Sequence, residues 1–369
     1  FGLRHQLEAP TPVQRWNGLL TELITAHPIG PTLTSRTYGL LNTAFYDLWA
    51  ATDDLARPHW IRWPRDLTTL DLPSSLNQLA AALLLQWFPQ SSDRIQQELH
   101  RTEPLDLAAQ QHWQPLLQQA LSQLPPLDPG PTSGREAPLV DGANRSIDAW
   151  WPEKVPIDSP DPDAPVERFL TPYWGDLPAF GTTDVSSWRP QGPEAFLLVD
   201  PGIATVDLSQ GLLTLHHPWQ DLAGSEHPAG EYHLASPTNQ AWMVGSLINP
   251  AFIAQAQQVV DLQESLTDEQ KLVAEFWESG PGTAFPPGNW MVFSSWLAER
   301  EQLNLGEQIK LFFAVGQSLS DAGIAAWDSK VHFNYARPVR VIRDLAKVDL
   351  LQGDGLEDWH TYQLPGSNS

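Results

Sequence analysis

Seventeen of the 34 prolines of this 369-residue chain lie between residues 125 and 228. Proline lacks a backbone donor and interrupts helices, so this concentration confines the long helices to the two ends of the chain. The same stretch is rich in bulky aromatic residues, which need a surface to pack on. We therefore predict that residues 125–244 form an ordered, irregular Pro/Trp-rich segment wrapped over the helices, with short strands near Ala195–Leu198 and Gly211–Leu215.

Both ends of the chain carry helix signals. Thr11-Pro12-Val13-Gln14 combines a capping box with proline at the first helical position, and Thr267-Asp268-Glu269-Gln270 is a second capping box. The longest apolar pattern at helical spacing runs from Ile309 to Trp327 and includes Gly316 and Gly323, two small residues that allow another helix to approach closely. These patterns predict an all-α helical bundle.

We expect three parts of a single domain. They are an N-terminal helical segment over residues 1–124, the Pro/Trp-rich segment over residues 125–244 and a second helical segment over residues 245–369.

Composition excludes several classes of function. The net charge of −23 disfavours nucleic-acid binding, because an acidic surface repels phosphate backbones. The absence of cysteine excludes disulfides, thiolate catalysis and cysteine-ligated metals. No apolar run is long enough to span a membrane. From the processed-looking start and the lack of cysteine we expect an extracytoplasmic protein, either periplasmic, lumenal or secreted.

Two cations stand where one helix is expected to end and the next to begin. Continuing the apolar stripe from Trp327 reaches Lys330, and Pro338 disfavours helix at Arg337 but suits the start of a new helix. Lys330, Arg337 and the first amide groups of the new helix can therefore converge on one anion. In the ordinary alternative, both cations reach solvent or pair with Asp328 or Asp344.

Other polar clusters give weaker signals. Four histidines in the Pro-rich segment lack the spacing of a helical metal pair, and an acidic loop lacks the glycine and glutamate of a calcium-binding EF-hand. We interpret both groups as surface residues: His216, His217, His227 and His233, and Asp158, Asp161 and Asp163.

The segment from Lys330 to Pro338 fits the pattern Lys-x6-Arg-Pro. This pattern resembles the first signature of the vanadium-dependent haloperoxidases and the related type 2 phosphatidic acid phosphatases. The surroundings resemble the bacterial haloperoxidase-like branch over most of the chain, most densely from residue 260 to 345. The segments that carry the resemblance are residues 44–49, 170–175, 266–271, 276–277, 280–283, 286–288, 310–314 and 321–328.

The resemblance implies an all-helical fold around a vanadate held by cations, and peroxide-dependent oxidation of halide. It implies that Lys330 hydrogen-bonds a vanadate or peroxido oxygen and that Arg337 neutralises the equatorial oxygens. The physical basis is electrostatic preorganisation around an oxyanion. Because phosphate has the same shape and a similar charge, phosphate-ester hydrolysis in the same cradle is an alternative.

The chain also departs from the family pattern. Ser-Gly-His, the second motif, occurs nowhere, and the third motif, Arg-x5-His, whose histidine bonds vanadium, does not follow residue 338. Arg94 and His100 have that spacing but precede the first motif, so we attribute it to chance. Asn289 stands where the branch is expected to carry histidine.

Three explanations of these departures stay open. A second chain or fragment completes the pocket, the rest of the protein lies beyond the sequence given, or the protein is an inactive haloperoxidase-like scaffold or subunit of a larger complex. We favour a missing or separate C-terminal half that supplies the vanadate's histidine ligand, because the helices over residues 305–345 would otherwise expose large aromatic residues.

Overall fold

The computed structural model describes residues 10–64, 71–102, 107–130, 173–190, 197–208, 210–280, 282–333 and 338–363. By its internal contacts the chain divides into two compact units. The first unit consists of Phe1–Gly130, Leu177–Thr183 and Ser279–Ile324, and the second of Pro131–Asp176, Asp184–Glu278 and Ala325–Ser369.

The described part of the chain is mainly helical. Its α-helices are α1 (Pro12–Ala26), α2 (Pro31–Ala50), α3 (Leu72–Trp87), α4 (Ser92–Thr102), α5 (Leu107–Leu121), α6 (Pro237–Met243), α7 (Pro250–Glu264), α8 (Asp268–Trp277), α9 (Phe285–Arg300), α10 (Leu305–Phe333) and α11 (Pro338–Lys347). Its strands are β1 (Ala204–Asp207), β2 (Leu212–Leu215), β3 (Trp219–Gln220), β4 (Glu226–His227) and β5 (Gly230–His233).

The first unit is a helical assembly around a single apolar core. Both predicted capping boxes are present in the chain, and the one at Thr11 and Gln14 starts α1 of this unit. The core is formed by the apolar faces of α1 to α5, α9 and the first part of α10. Its largest fully buried side chains include Trp16, Tyr38, Phe45 and Phe312.

Glycine allows α2 and α10 to touch backbone to backbone. A Cβ added at Gly316 would lie 3.0 Å from the carbonyl oxygen of Tyr38, and one added at Gly39 would lie 3.2 Å from the carbonyl oxygen of Gly316. The predicted close helix approach is therefore confirmed at Gly316. For Gly323 it stays a prediction.

The second unit combines helices with small antiparallel sheets. Strands β1, β2 and β5 form one sheet in that order, in which Thr205 pairs with Thr214 and Leu213 pairs with Tyr232. Strands β3 and β4 form a separate two-stranded hairpin. The apolar faces of the larger sheet, α7 and α11 share one core, to which Leu213 and Ile342 contribute fully buried side chains.

The sheets correct the all-α expectation, since the chain is mainly helical rather than purely so. The strand predicted at Gly211–Leu215 is confirmed as β2. The strand predicted near Ala195–Leu198 is wrong in the part that is described, because Leu197 and Leu198 are not in a strand. The strand that pairs with β2 begins later, after a turn in which Gly202 donates its backbone N–H to the Asp200 carboxylate.

Residues 131–172, which include Trp150 and Trp151, lie outside the described residues, so the predicted wrapping of this segment stays a prediction. Among the residues that are described, no helix is both long and apolar enough to cross a bilayer.

Candidate functional site

Lys330 lies in the last turn of α10 and is partly buried. Its ammonium nitrogen sits 4.3 Å from the centre of the indole ring of Trp327, one helical turn earlier, and that ring is itself buried. An ammonium over an indole face is stabilised by the negative face of the aromatic system. The Trp327 ring therefore gives the charge of Lys330 a defined place beside the helix.

The predicted interruption between two helices is present. α10 ends at Phe333 and α11 begins at Pro338, where proline occupies the first helical position. Arg337 and His332 flank this break: His332 is exposed on α10, whereas Arg337 lies outside the described residues. The convergence of Lys330 and Arg337 on one anion stays a prediction.

A partly buried ion pair holds α10 two residues before Lys330. The guanidinium of Arg189 donates to both carboxylate oxygens of Asp328, from Nε at 2.6 Å and from an Nη at 2.9 Å. The Asp328 side chain is 9 % exposed and that of Arg189 26 %. These hydrogen bonds raise the pKa of the Arg189 guanidinium above its ordinary value.

The Arg189–Asp328 pair lies on the far side of the helix from Lys330. Two residues correspond to about 200° of rotation around an α-helix, so a side chain at 328 points away from one at 330. The partner of Asp328 is thus Arg189, a cation that was not among the candidates predicted from the sequence. No spacing pattern connects positions 189 and 328, so only the folded chain reveals this contact.

The other acid considered as a partner of the two cations also has a neighbour on its own helix. Asp344 of α11 is fully buried, and the ammonium of Lys347 lies 3.5 Å from its carboxylate.

A tight turn also packs against α10 at Asp328. A Cβ added at Gly175 would lie 2.5 Å from the Cα of Asp328, closer than real side-chain carbons approach backbone. Only glycine therefore fits there without displacement. The neighbouring Trp174 is almost completely buried. The structure thus places Gly175 against Asp328, two residues from segments that carry the family resemblance, near the helix end that presents Lys330.

The weaker candidates have structural contacts of their own. His227 bonds the Asp221 carboxylate at 2.9 Å and stacks on Trp242, with 3.6 Å between ring centres. This hydrogen bond is the main cause that lowers the pKa of Asp221. His216 bonds Thr205 at 2.7 Å. The acidic loop at Asp158, Asp161 and Asp163 lies outside the described residues.

Asn289, a departure from the family pattern, and Arg94, part of the chance Arg-x5-His spacing, also have partners. Asn289 donates to the Ser279 hydroxyl at 2.8 Å. Arg94 lies on α4 and pairs with Glu22 and Glu98.

The donor set suits an oxyanion better than a metal atom. The described residues contain no group of three or more histidine, aspartate or glutamate side chains placed to hold a metal ion. Lys330 contributes hydrogen-bond donors and positive charge, which match the oxygens of a tetrahedral anion such as vanadate or phosphate. Lys330 therefore fits the oxygen shell of vanadate.

Comparison with protein families relates the end of the chain to a known domain. Residues 310–367 match the family model described as the VCPO second helical-bundle domain. The match includes Lys330 and Arg337 and most of α10. Over these residues the chain is similar to the vanadium haloperoxidase family.

The extent of this match is limited to the one small domain. The haloperoxidase-like segment comprises 58 residues, from 310 to 367, and the remaining resemblance noted in the sequence lies outside it. The comparison with curated proteins and the comparison with solved structures each gave no match.

Proposed function

We propose that this protein takes part in peroxide-dependent halide oxidation at a vanadate site completed by a C-terminal segment or a second chain. The observation that carries the proposal is the haloperoxidase family match over the helix end that presents Lys330. When bound, vanadate supplies the activation of peroxide toward halide.

The extracytoplasmic location belongs to the same proposal and rests on composition; cell fractionation tests it.

Lys330 has the role of a fixed donor in this proposal. Its ammonium is held against the buried Trp327 ring rather than dispersed in water, so less side-chain freedom is lost when it bonds an anion. Arg337 would add a planar guanidinium suited to bidentate contact with two oxygens of the anion. Pro338, which directly follows Arg337 in the sequence, starts α11, and the amide groups at a helix N-terminus favour negative charge.

The Arg189–Asp328 pair supports the same site indirectly. An unpaired carboxylate near an anion would oppose binding, and Arg189 compensates this charge with two hydrogen bonds. The contact also fixes the final turns of α10, from which Lys330 projects.

Anion binding is the first test. Orthovanadate binding is measured by calorimetry and by vanadium nuclear magnetic resonance for the unmodified chain, Lys330→Gln and Arg337→Gln. Loss of one charge-assisted hydrogen bond is expected to weaken binding by about tenfold or more. Lys310→Gln is the matched control, because Lys310 lies on the same helix with its ammonium 4.7 Å from the Trp49 ring. Equal affinities for all four proteins would contradict the assignment.

The reaction is tested once a polypeptide bearing Ser-Gly-His and Arg-x5-His has been added. Bromide- and peroxide-dependent bromination of monochlorodimedone supports the haloperoxidase proposal. Cleavage of nitrophenyl phosphate without bromination indicates a phosphatase that uses the same cradle. If vanadate binds but neither reaction occurs, the protein is an inactive scaffold.

A further inference from the structure

Helix α9 is apolar on two opposite sides. One side is buried in the first unit, through Phe285, Pro287, Gly288, Met291, Ser294 and Ala298. The other side exposes Trp290 at 56 %, Phe293 at 42 % and Trp296 at 57 % of their surface, with Val292 beside them at 57 %. A helix with apolar residues all round is ordinarily covered on every side. We call Trp290, Phe293 and Trp296 the aromatic stripe.

The stripe is symmetric in sequence. Its three rings follow at intervals of three residues, with tryptophan on either side of a central phenylalanine. Two copies of α9 packed antiparallel around a two-fold axis at Phe293 would place Phe293 against itself and each Trp290 against the Trp296 of the other copy. Such a self-complementary arrangement is what an interface between identical subunits requires.

The charges of α9 favour the antiparallel direction. Glu299, Arg300 and Glu301 stand at its C-terminal end, whereas Pro286 and Pro287 at its start carry no charge. In a parallel pair each Glu299 would face its own copy, and like charges repel. In the antiparallel pair the charged end of one helix faces the uncharged start of the other. The guanidinium carbon of Arg300 lies 4.7 Å from the centre of the Trp296 ring, so Arg300 would extend the contact surface of the dimer.

The size of the stripe also suits a dimer. A fully covered aromatic side chain buries about 150–250 Å², so the exposed parts of the three rings together offer roughly 230–390 Å² per copy. A standard interface buries about 800 Å² per partner, a little over half of it apolar. The stripe therefore supplies a large share of the apolar area that a stable dimer needs, and tryptophan is enriched among residues that dominate binding.

We infer that the aromatic stripe of α9 is the interface through which two copies of this chain form an antiparallel, two-fold symmetric dimer. This inference does not depend on vanadate binding, because the stripe lies outside the segment that carries Lys330.

The oligomeric state is the first test. Sedimentation equilibrium of the unmodified chain should give twice the 41.1 kDa mass of one copy. Phe293→Glu places two carboxylates at the symmetry axis and should shift the protein to a monomer with an unchanged circular dichroism spectrum. Leu55→Glu is the matched control, since Leu55 is 89 % exposed in the same unit, and this variant should remain a dimer. A monomeric unmodified chain, or a dimer unaffected by Phe293→Glu, would overturn the inference.

The absence of cysteine permits a geometric test that keeps the fold intact. Phe293→Cys introduces the only thiol, and a short bismaleimide should join two copies of this variant rapidly. Trp290→Cys and Trp296→Cys should each cross-link faster when mixed with each other than alone. Leu55→Cys is the control for random collision. Cross-linking of Phe293→Cys no faster than that of Leu55→Cys would refute the antiparallel arrangement.

Discussion

The Arg189–Asp328 pair gives the sharpest test of how the helix end is held. Arg189→Met keeps much of the side-chain volume but leaves the Asp328 carboxylate, which is 9 % exposed, without its bidentate partner. Removing one member of a buried ion pair commonly costs about 3–5 kcal/mol. Because a quarter of the Arg189 side chain is exposed, water screens part of this interaction, and we expect a loss of about 2–4 kcal/mol in the free energy of unfolding.

A double-mutant cycle isolates the pair. Asp328→Asn leaves a guanidinium that can turn toward water, so its cost should be smaller, about 1–2 kcal/mol. The double variant contains neither charge of the pair, so its loss of stability should be smaller than the sum of the losses of the two single variants. This difference, the coupling energy of the pair, should be about 1–3 kcal/mol. Urea unfolding followed by circular dichroism measures all three variants, provided that the dependence on urea keeps the same slope.

An exposed ion pair provides the control. Arg300→Met removes a pair in which Arg300 lies 2.6 Å from Glu301 with both side chains about half exposed. This change should cost less than about 1 kcal/mol. If Arg189→Met is no more costly than Arg300→Met, or if the coupling is zero within error, the ion pair does not hold the helix end.

Three further outcomes follow from close contacts and burial. Gly316→Val should destabilise the first unit by about 1–3 kcal/mol in urea titrations, because its Cβ would press on the Tyr38 carbonyl oxygen. Gly175→Ala should cost a similar amount and expose backbone amides near Asp328 to hydrogen exchange; unchanged protection there would contradict the close packing. Burial lowers the pKa of His59, so the folded state binds its proton less readily than the unfolded state. Stability should therefore fall as the pH drops below about 6.5, and His59→Gln should flatten this part of the profile in thermal denaturation.

Local signals in the sequence predicted local structure well. Both capping boxes, the proline start of α11 and the glycine contact at Gly316 rest on nearest-neighbour chemistry, which a single sequence displays directly. The sheet was only half predicted, because β2 shows an apolar run, whereas the start of β1 depends on a turn that Asp200 stabilises.

The site was predicted through its motif but not through its supports. Lys330 stands at a helix end because the apolar stripe and the proline define that end. Arg189 and Gly175 reach α10 from positions 139 and 153 residues away, and no periodicity reports contacts of that range. The cation–π contact of Lys330 was predictable only in part. A spacing of three residues on a helix places Trp327 beside Lys330, but it does not fix the orientation of the indole ring.

The close seating of Gly175 on the backbone at Asp328 bears on how variation in length is tolerated. If the helix alone determined the orientation of Lys330, one extra residue inserted early in the 29-residue α10 would rotate the Lys330 side chain by about 100° around the helix axis. Gly175 and Arg189 both contact the helix at Asp328, near its end. These contacts, and not the distant N-terminus of the helix, therefore determine the direction in which Lys330 points. A helical bulge upstream of Asp328 could then accommodate such an insertion without turning Lys330. Insertions and deletions should therefore be tolerated upstream of Asp328 in functional variants, and selected against between residues 328 and 337.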